Sequence, residues 1–345
     1  MVEAYGNPAS STHALGWEAE QLVKQAREQI AQTIGANCEE IFFTSGSTES
    51  NNIALFGTKP SRLITVETEH AAVLEPAQQL RKAGCDVRVL PVSPDGTLDR
   101  GKFSNALADG SGIVSVMLAN NEIGLIHPIA ELAAEARKSG YLFHCDATQA
   151  LGKIDLNFKQ LGIDLMSLSS HKCYGPKGVG VLVRREGTIL SPIVIGGGQE
   201  EGMRAGTLNV PGIVGFGEAC RIVSKERAAE VLRIQDLTKR FYNGLKSKVP
   251  GLVLNGPSLD SRLPGNLNLQ LGVVSAGVVG KLSTKVAFST SSACHSRTSK
   301  PSHVLAAMGL SLKEQSQSVR VGIGRFNTVD EIDQAVELFA IAISG

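Results

Sequence analysis

Ser169-Ser170-His171-Lys172-Cys173-Tyr174-Gly175-Pro176-Lys177-Gly178-Val179-Gly180 is the stretch that decides how this chain folds. It follows Leu165-Met166-Ser167-Leu168, which reads as the end of a buried strand, and precedes Val181-Leu182-Val183, which reads as another. A lysine just past a buried strand, walled in by small and rigid residues, suits an amine meant to react. Burial or a nearby cation lowers a lysine pKa and frees the neutral amine that attacks a carbonyl. The glycines and Pro176 make a tight return behind it. An ordinary polar turn with a surface lysine accounts for this stretch equally well, so the neighbouring segments must decide.

Outward from this stretch, strands and helices alternate. Ile41-Phe42-Phe43-Thr44, Leu63 to Val66, Val87 to Leu90, Ile113 to Leu118 and Tyr141 to Cys145 read as strands. Helical spacing runs from Leu15 to Ile34, closed by Gly35, from His70 to about Arg81, and from Ile129 to Lys138. Such alternation predicts an α/β fold with a mostly parallel sheet covered by helices. Ligands of these sheets sit beyond the carboxyl ends of the strands. His70, Asn121, Asp146, Gln149, Ser169, His171 and Lys172 all follow apolar strands, so one crevice is expected to collect them. Ser45-Gly46-Ser47-Thr48 opens a helix after a strand. It reads either as an anion site of free N–H groups and hydroxyls or as a plain helix cap.

The Gly196 to Thr207 stretch reads as a long glycine-rich loop, its bland reading a flexible surface excursion. A helix from about Ala228 to Val249 is read as the hinge to a second domain. This divides the chain into a large domain, 1–227, and a smaller α+β domain, 228–345. The smaller domain carries strands at Asn266 to Leu271 and Ser318 to Arg325, with helices at Ser275 to Leu282 and after Asp330. Between them, Ser289 to Pro301 reads as an exposed, mobile loop. Cys294 within it departs from the usual burial of cysteine, and Arg297, Lys300 and His295 would favour its thiolate. Arg320, between apolar residues, reads as an ion-pair partner or as a bidentate clamp for a carboxylate.

Length and composition limit the partners. The 345 residues suggest about two domains. With 34 basic and 33 acidic residues the formal charge is +1, which gives no reason to expect nucleic acid or an anionic membrane. No apolar run approaches the roughly 18 residues of a membrane span. Six scattered cysteines without C-x-x-C spacing, and a start without a basic-then-apolar leader, imply a reducing, cytoplasmic setting, with an organelle left open. No metal-ligand spacing is found.

The segments GNPASSTH, FFTSGSTESNN, ETEHAAVL, ANNEIG, HCDATQALGK, SLSSHKCYGPKGVG, GGGQEEGMRAGTLNVP, SSACHS and VRVGIGRFNT run in order from Tyr5 to about Val336. Together they resemble the cysteine desulfurases, pyridoxal 5′-phosphate (PLP) enzymes of the class V aminotransferase family and of fold type I. The resemblance implies that Lys172 carries the cofactor and moves substrate protons. Asp146 pairs with the pyridine nitrogen, Gln149 meets the ring hydroxyl, and His70 stacks on the ring and serves in proton transfer. Ser47, Thr48, Ser169 and His171 form the phosphate cradle, Asn121 contacts the cofactor, and Thr207 reaches the phosphate of the other subunit of a homodimer. Arg320 binds the substrate carboxylate with Asn7 beside it, and Cys294 takes sulfur as a persulfide. L-cysteine would become L-alanine, and the sulfur would pass to an acceptor or scaffold protein for iron–sulfur cluster assembly or other sulfur transfer.

Cys-His-Ser at 294–296 also resembles selenocysteine lyases, which makes L-selenocysteine an alternative substrate. Family members carry, before the matched region, a further strand and a D-x-x-A-T-T-like segment near the substrate. The chain read without it leaves a reading of another class: an inactive dimerisation or scaffold-binding partner. A Cys–His acyl-transfer enzyme would need an oriented base and an oxyanion hole, and no clear pair stands near Cys294.

Overall fold

The computed structural model describes residues 6–108, 110–272, 274, 276–290 and 301–344. Cys294 and residues 291–300 of the loop read around it lie outside the described residues, while the first two residues of that stretch, Ser289 and Thr290, form a short strand rather than loop.

In chain order the elements are α1 (Ala14–Ile34), β1 (Ile41–Thr44), α2 (Ser47–Gly57), β2 (Arg62–Val66), α3 (Ala71–Lys82), β3 (Asp86–Leu90), α4 (Arg100–Leu107), β4 (Gly112–Ser115), α5 (Ile129–Lys138), β5 (Tyr141–Asp146), α6 (Phe158–Leu161), β6 (Leu165–Ser169), β7 (Gly180–Arg184) and α7 (Val210–Lys248). There follow β8 (Val253–Leu254), β9 (Asn266–Gln270), α8 (Ala276–Ser283), β10 (Ser289–Thr290), α9 (His303–Ala307), α10 (Leu312–Ser316), β11 (Ser318–Gly322) and α11 (Val329–Ser344).

By packing, the chain forms two compact units. One comprises Met1–Leu90, Arg100–Leu118 and His127–Arg227; the other comprises Pro91–Asp99, Ala119–Ile126 and Ala228–Gly345. A linear division at residue 227 does not anticipate the two early segments in the second unit. The second is tied there by a bridge from Leu125 to Arg262, and Val92 of the first packs against the cluster of Ile123, Leu125, Val304, Leu305 and Met308. Asn121, expected in one crevice with Lys172, therefore packs with the second unit.

The first unit is built on a seven-stranded sheet in the order β1-β7-β6-β5-β4-β2-β3. Its strands run parallel except β7, which is antiparallel to both neighbours. The register explains the assembly of one edge. Gly180, the first residue of β7, pairs with Thr44 on one side and Ser169 on the other. The carboxyl ends of β1 and β6 are thereby level, and Asp146 at the end of β5 pairs with Ser167 of β6. Phe42, Ile53, Leu55, Leu63, Val73 and Leu182 bury the sheet face against α2 and α3. Each fully buried aliphatic or aromatic side chain of this kind contributes about 1.5–3 kcal/mol.

Helix α7 begins at Val210, earlier than the expected Ala228. Pro211, Gly212, Gly215 and Gly217 lie in its first turns. Proline is tolerated in a first helical turn. A side chain at Gly217 would come within 2.6 Å of Ala26 Cα, so the missing Cβ lets α7 lie directly on α1.

The second unit holds an antiparallel sheet in the order β10-β11-β9-β8. Its core is Phe241 and Leu245 of α7, Leu267 and Leu269 of β9, Val319 and Val321 of β11, and Phe339 of α11. Phe339 takes Phe241 and Phe288 edge-on, with ring centroids 5.7 and 5.4 Å away. No helix among the described residues is long and apolar enough to cross a membrane.

Candidate active site

Four strand ends of the first unit bring polar residues to one sheet edge. At the end of β1 the chain turns through Ser45 and Gly46 into α2. The N-cap of α2 is Gly46, which has no side chain to bond the first helical N–H groups. Ser47 and Thr48 open the helix, so their free amides and the positive end of the helix face the same space. A Cβ on Gly46 would have Ser169 Oγ as its nearest neighbour, at 3.7 Å. A Cβ on Gly180 would come within 2.6 Å of Gly46 Cα, so only glycine at the start of β7 lets this turn settle against the strand. Ser169 is buried and its Oγ lies 2.9 Å from His171 Nδ1. The start of a helix, a serine and a histidine thus form one donor set.

Lys172 follows on a 3₁₀ turn, Ser170–Cys173, directly after β6. The turn ends with Tyr174 in the left-handed region, φ 67°. Cys173 points inward and its Sγ donates to Ser170 O at 3.2 Å. Burial lowers the His171 pKa, and the charges of Lys172 and Lys177 lower it further.

Asp146 closes β5 and is buried. One carboxyl oxygen accepts from Asn51 Nδ2 at 2.8 Å and the other from Thr148 N at 3.0 Å. Asn51 lies on α2, so the helix that starts at the donor set also grips this acid. Beneath, buried His144 spans Ser115 Oγ (2.8 Å) and Ser167 Oγ (3.0 Å). Burial lowers its pKa to about 4 against the opposing pull of Asp146, so it is neutral at pH 7. Neither Asn51 nor His144 was selected by sequence reasoning. Asn51 reads as part of the helix start, and His144 as one residue of an apolar strand.

His70 caps α3, and its Nδ1 accepts from Ala72 N at 3.0 Å. In the neutral ring the proton therefore sits on Nε2. Glu69, beside it, is fully buried and takes the Met117 N–H. Burial pushes its carboxyl well above the usual range, and the charge of Asp146 adds to this.

The glycine-rich loop that carries Thr207 is held rather than free. Glu200 and Glu201 both lie in the left-handed region, φ 49° and 55°, which costs non-glycine residues of order 1–3 kcal/mol each. Glu200 is compensated by an Arg27 ion pair at 2.7 Å and the Phe43 N–H at 2.6 Å. Arg204 pairs with Glu49 of α2. Thr207 itself is exposed, and so is Asn7, whose Oδ1 accepts from Ala9 N at 3.0 Å.

In the second unit Arg320 lies on β11. It reaches Asn121 O at 3.5 Å and Ser289 Oγ at 3.4 Å, both weak, and no carboxylate among the described residues lies within ion-pair distance of it. Of the cysteines described, Cys38, Cys85, Cys145 and Cys220 all have thiol pKa values raised, by burial in all but Cys220, where the Cys173 bond leads and burial follows.

The donor set, a buried carboxylate at the end of the adjacent strand β5, and a lysine on the turn after β6 fit pyridoxal phosphate. That molecule needs an anion cradle, an acid for its ring nitrogen and an amine for its aldehyde.

The aminotransferase class-V family model matches residues 1–335. Over 343 residues the chain is 47% identical to the cysteine desulfurase IscS of Anaeromyxobacter dehalogenans, spanning 97% of this chain and 85% of that one. A solved NifS-like protein superposes with a TM-score of 0.92 at 34% identity, covering 99% of this chain and 92% of that one. SspA, solved in complex with cysteine, superposes with a TM-score of 0.80 at 32% identity, covering 94% and 92%. Matched along nearly its whole length in sequence and in fold, this chain belongs to the class-V aminotransferase family, among the cysteine desulfurases.

Proposed function

We propose that the protein converts L-cysteine to L-alanine with pyridoxal phosphate and leaves the sulfur as a persulfide on Cys294, for delivery to an acceptor protein. The observation that carries this reading is the shared sheet edge. Strand pairing sets Thr44, Ser169 and Asp146 at strand ends on that edge, with Gly46 in the turn after Thr44 and Lys172 on the turn that follows Ser169. The desulfurase relatives, and the cysteine held by SspA, support the choice of substrate.

Pyridoxal phosphate, when bound, supplies an electron sink for the α-carbon of an amino acid joined to it. The amides at the start of α2, with Ser47, Thr48, Ser169 and His171, hold the phosphate. Asp146, fixed by Asn51 and Thr148, keeps a proton on the ring nitrogen. Gln149 donates to the ring hydroxyl. Lys172 holds the aldehyde carbon and, once released, moves the proton at the substrate α-carbon. His70 offers Nε2–H from a ring that its cap bond keeps fixed, and Asn121 is a further cofactor contact. Arg320, with two weak neutral contacts of its own, takes the substrate carboxylate, with Asn7 beside it. The Cys294 thiolate attacks the substrate sulfur. A sulfur–sulfur bond forms, the carbon–sulfur bond breaks, and the β-carbon gains a proton to leave alanine. Thr207 completes the phosphate site of a second copy in a homodimer.

The test is stoichiometric. PLP-loaded protein given L-cysteine without acceptor should release alanine and gain one sulfur atom in mass on the peptide carrying Cys294. Parallel incubation with L-selenocysteine compares the two substrates. Alanine production with the added sulfur on Cys173 would overturn the assignment to Cys294. Absence of any PLP adduct on Lys172 would overturn the site.

A further inference from the structure

Glu20, Val23, Lys24 and Arg27 fall at i, i+3, i+4 and i+7 on α1, which puts them on one face of the helix. They line a cavity of about 280 Å³, together with residues 7–9 of the entry turn and, from the glycine-rich loop, Gln199 and Leu208. Its size is at the small end of the range for ligand cavities. All of these residues belong to the first unit. Asn7 apart, none of them has a part in the reaction proposed above.

The polar groups of the lining differ in what they already hold. Asn7 Oδ1 accepts the Ala9 N–H at 3.0 Å, and Gln199 Oε1 accepts the Gly206 N–H at 2.9 Å. Both carboxamide oxygens are engaged, so each side chain has its NH2 left to donate. Arg27 is occupied by Glu200 at 2.7 Å and by the Ile41 carbonyl, and its guanidinium lies over the Phe43 ring. Glu20 and Lys24 are different. Both are exposed, and neither side chain makes an ion pair or hydrogen bond among the described residues. A glutamate four residues before a lysine is well placed to pair with it along a helix, yet these two stay apart.

Arg27 and Glu200 cancel each other's charge, which leaves one carboxylate and one ammonium at the cavity, one helical turn apart. A ligand with a single charge would answer only one of them. A zwitterion answers both. We propose that this cavity binds a free α-amino acid with an apolar side chain. Its carboxylate meets Lys24 and the carboxamide NH2 groups, its ammonium meets Glu20, and its side chain lies against Val23 and Leu208. Gln199 and Arg27 also anchor the loop that carries Thr207, through Gly206 and Glu200. An occupant that bonds Gln199 therefore adds to the hold on that loop.

The experiment is a calorimetric titration with L-leucine. Wild type is first loaded with PLP and reduced with borohydride, so that no amino acid can join the cofactor. L-leucine should bind in equal stoichiometry with the chain. Isocaproate, which lacks the ammonium, and isopentylamine, which lacks the carboxylate, should each bind roughly tenfold more weakly. Lys24→Met and Glu20→Gln should each weaken L-leucine by roughly the same factor. Both side chains are exposed on α1, so the variants keep the fold. Hydrogen exchange of residues 199–208 should slow when wild type is saturated. Unchanged binding in both variants would place L-leucine elsewhere and overturn the proposal, as would no binding to wild type. A loss in one variant alone would overturn the amino-acid class and leave a site for a simple carboxylate or a simple amine.

Discussion

Glu49 accepts the Nε–H of Arg204 at 2.7 Å with one carboxyl oxygen, and with the other it takes the N–H of Ser45 at 2.8 Å. One side chain therefore ties the turn before α2 to the loop that carries Thr207. Burial by itself raises the Glu49 pKa, but the bonds from Arg204 and Ser45 outweigh it and hold the carboxyl below the usual range. A group with a lowered folded pKa contributes stability above its unfolded value of 4.5, and that contribution is lost as pH falls through the folded value. Glu49→Gln should cost about 1–3 kcal/mol at pH 7, because Arg204 loses its ionic partner. Denaturation midpoints measured from neutral to acid pH should converge for the two proteins. A constant gap across that range would mean that the charge is not what matters.

Asp146→Asn keeps the shape of the acid and removes its charge. The cofactor should still bind, since the cradle at α2 and Lys172 are untouched. Turnover should fall roughly 10²–10⁴-fold, the usual effect of losing a proton-positioning group. Steady-state kinetics alongside the visible spectrum separate the two effects. Turnover within a factor of a few of wild type would show that the ring nitrogen is held some other way.

Cys294→Ser separates cofactor chemistry from sulfur chemistry. The cofactor residues proposed on the sheet edge are unchanged, so the visible spectrum should match wild type and should still respond to added L-cysteine. Alanine and sulfide production from L-cysteine should disappear, because a hydroxyl is a far weaker nucleophile toward sulfur than a thiolate. Desulfuration at the wild-type rate would remove Cys294 from the mechanism.

Phe241→Ala probes the second unit alone. Phe241 is 1% exposed and meets Phe339 edge-on in the core beneath the four-stranded sheet. The substitution should cost about 3–5 kcal/mol. Hydrogen exchange should show the loss in β9, β11 and α11 rather than in the seven-stranded sheet. Uniform loss of protection across the chain would instead mean that the two units unfold as one.

The sequence was most legible where chemistry is local. Lys172 between an apolar strand and a glycine-rich return, and the Ser/Thr/Gly opening of α2, can be read from residue type and spacing. The alternation of strands and helices likewise predicts the parallel sheet. It does not reveal that β7 runs against its neighbours, because an apolar run has no direction. Nor does it place the start of α7, where Gly217 lies against Ala26 of α1.

The amino-acid sequence by itself determined the fold class and the family, and pointed to the lysine and acid proposed for the site, because these readings depend on residue types and patterns along the chain. Only the tertiary structure decided how the parts are held. Asn51 grips Asp146 across 95 residues, and Arg204 grips Glu49 across 155. Asn121 joins a different packing unit from Lys172. Partners so far apart in sequence leave no periodic signal. They become neighbours only when strand register levels the ends of β1, β5 and β6, so hydrogen-bond geometry and burial assign them their work.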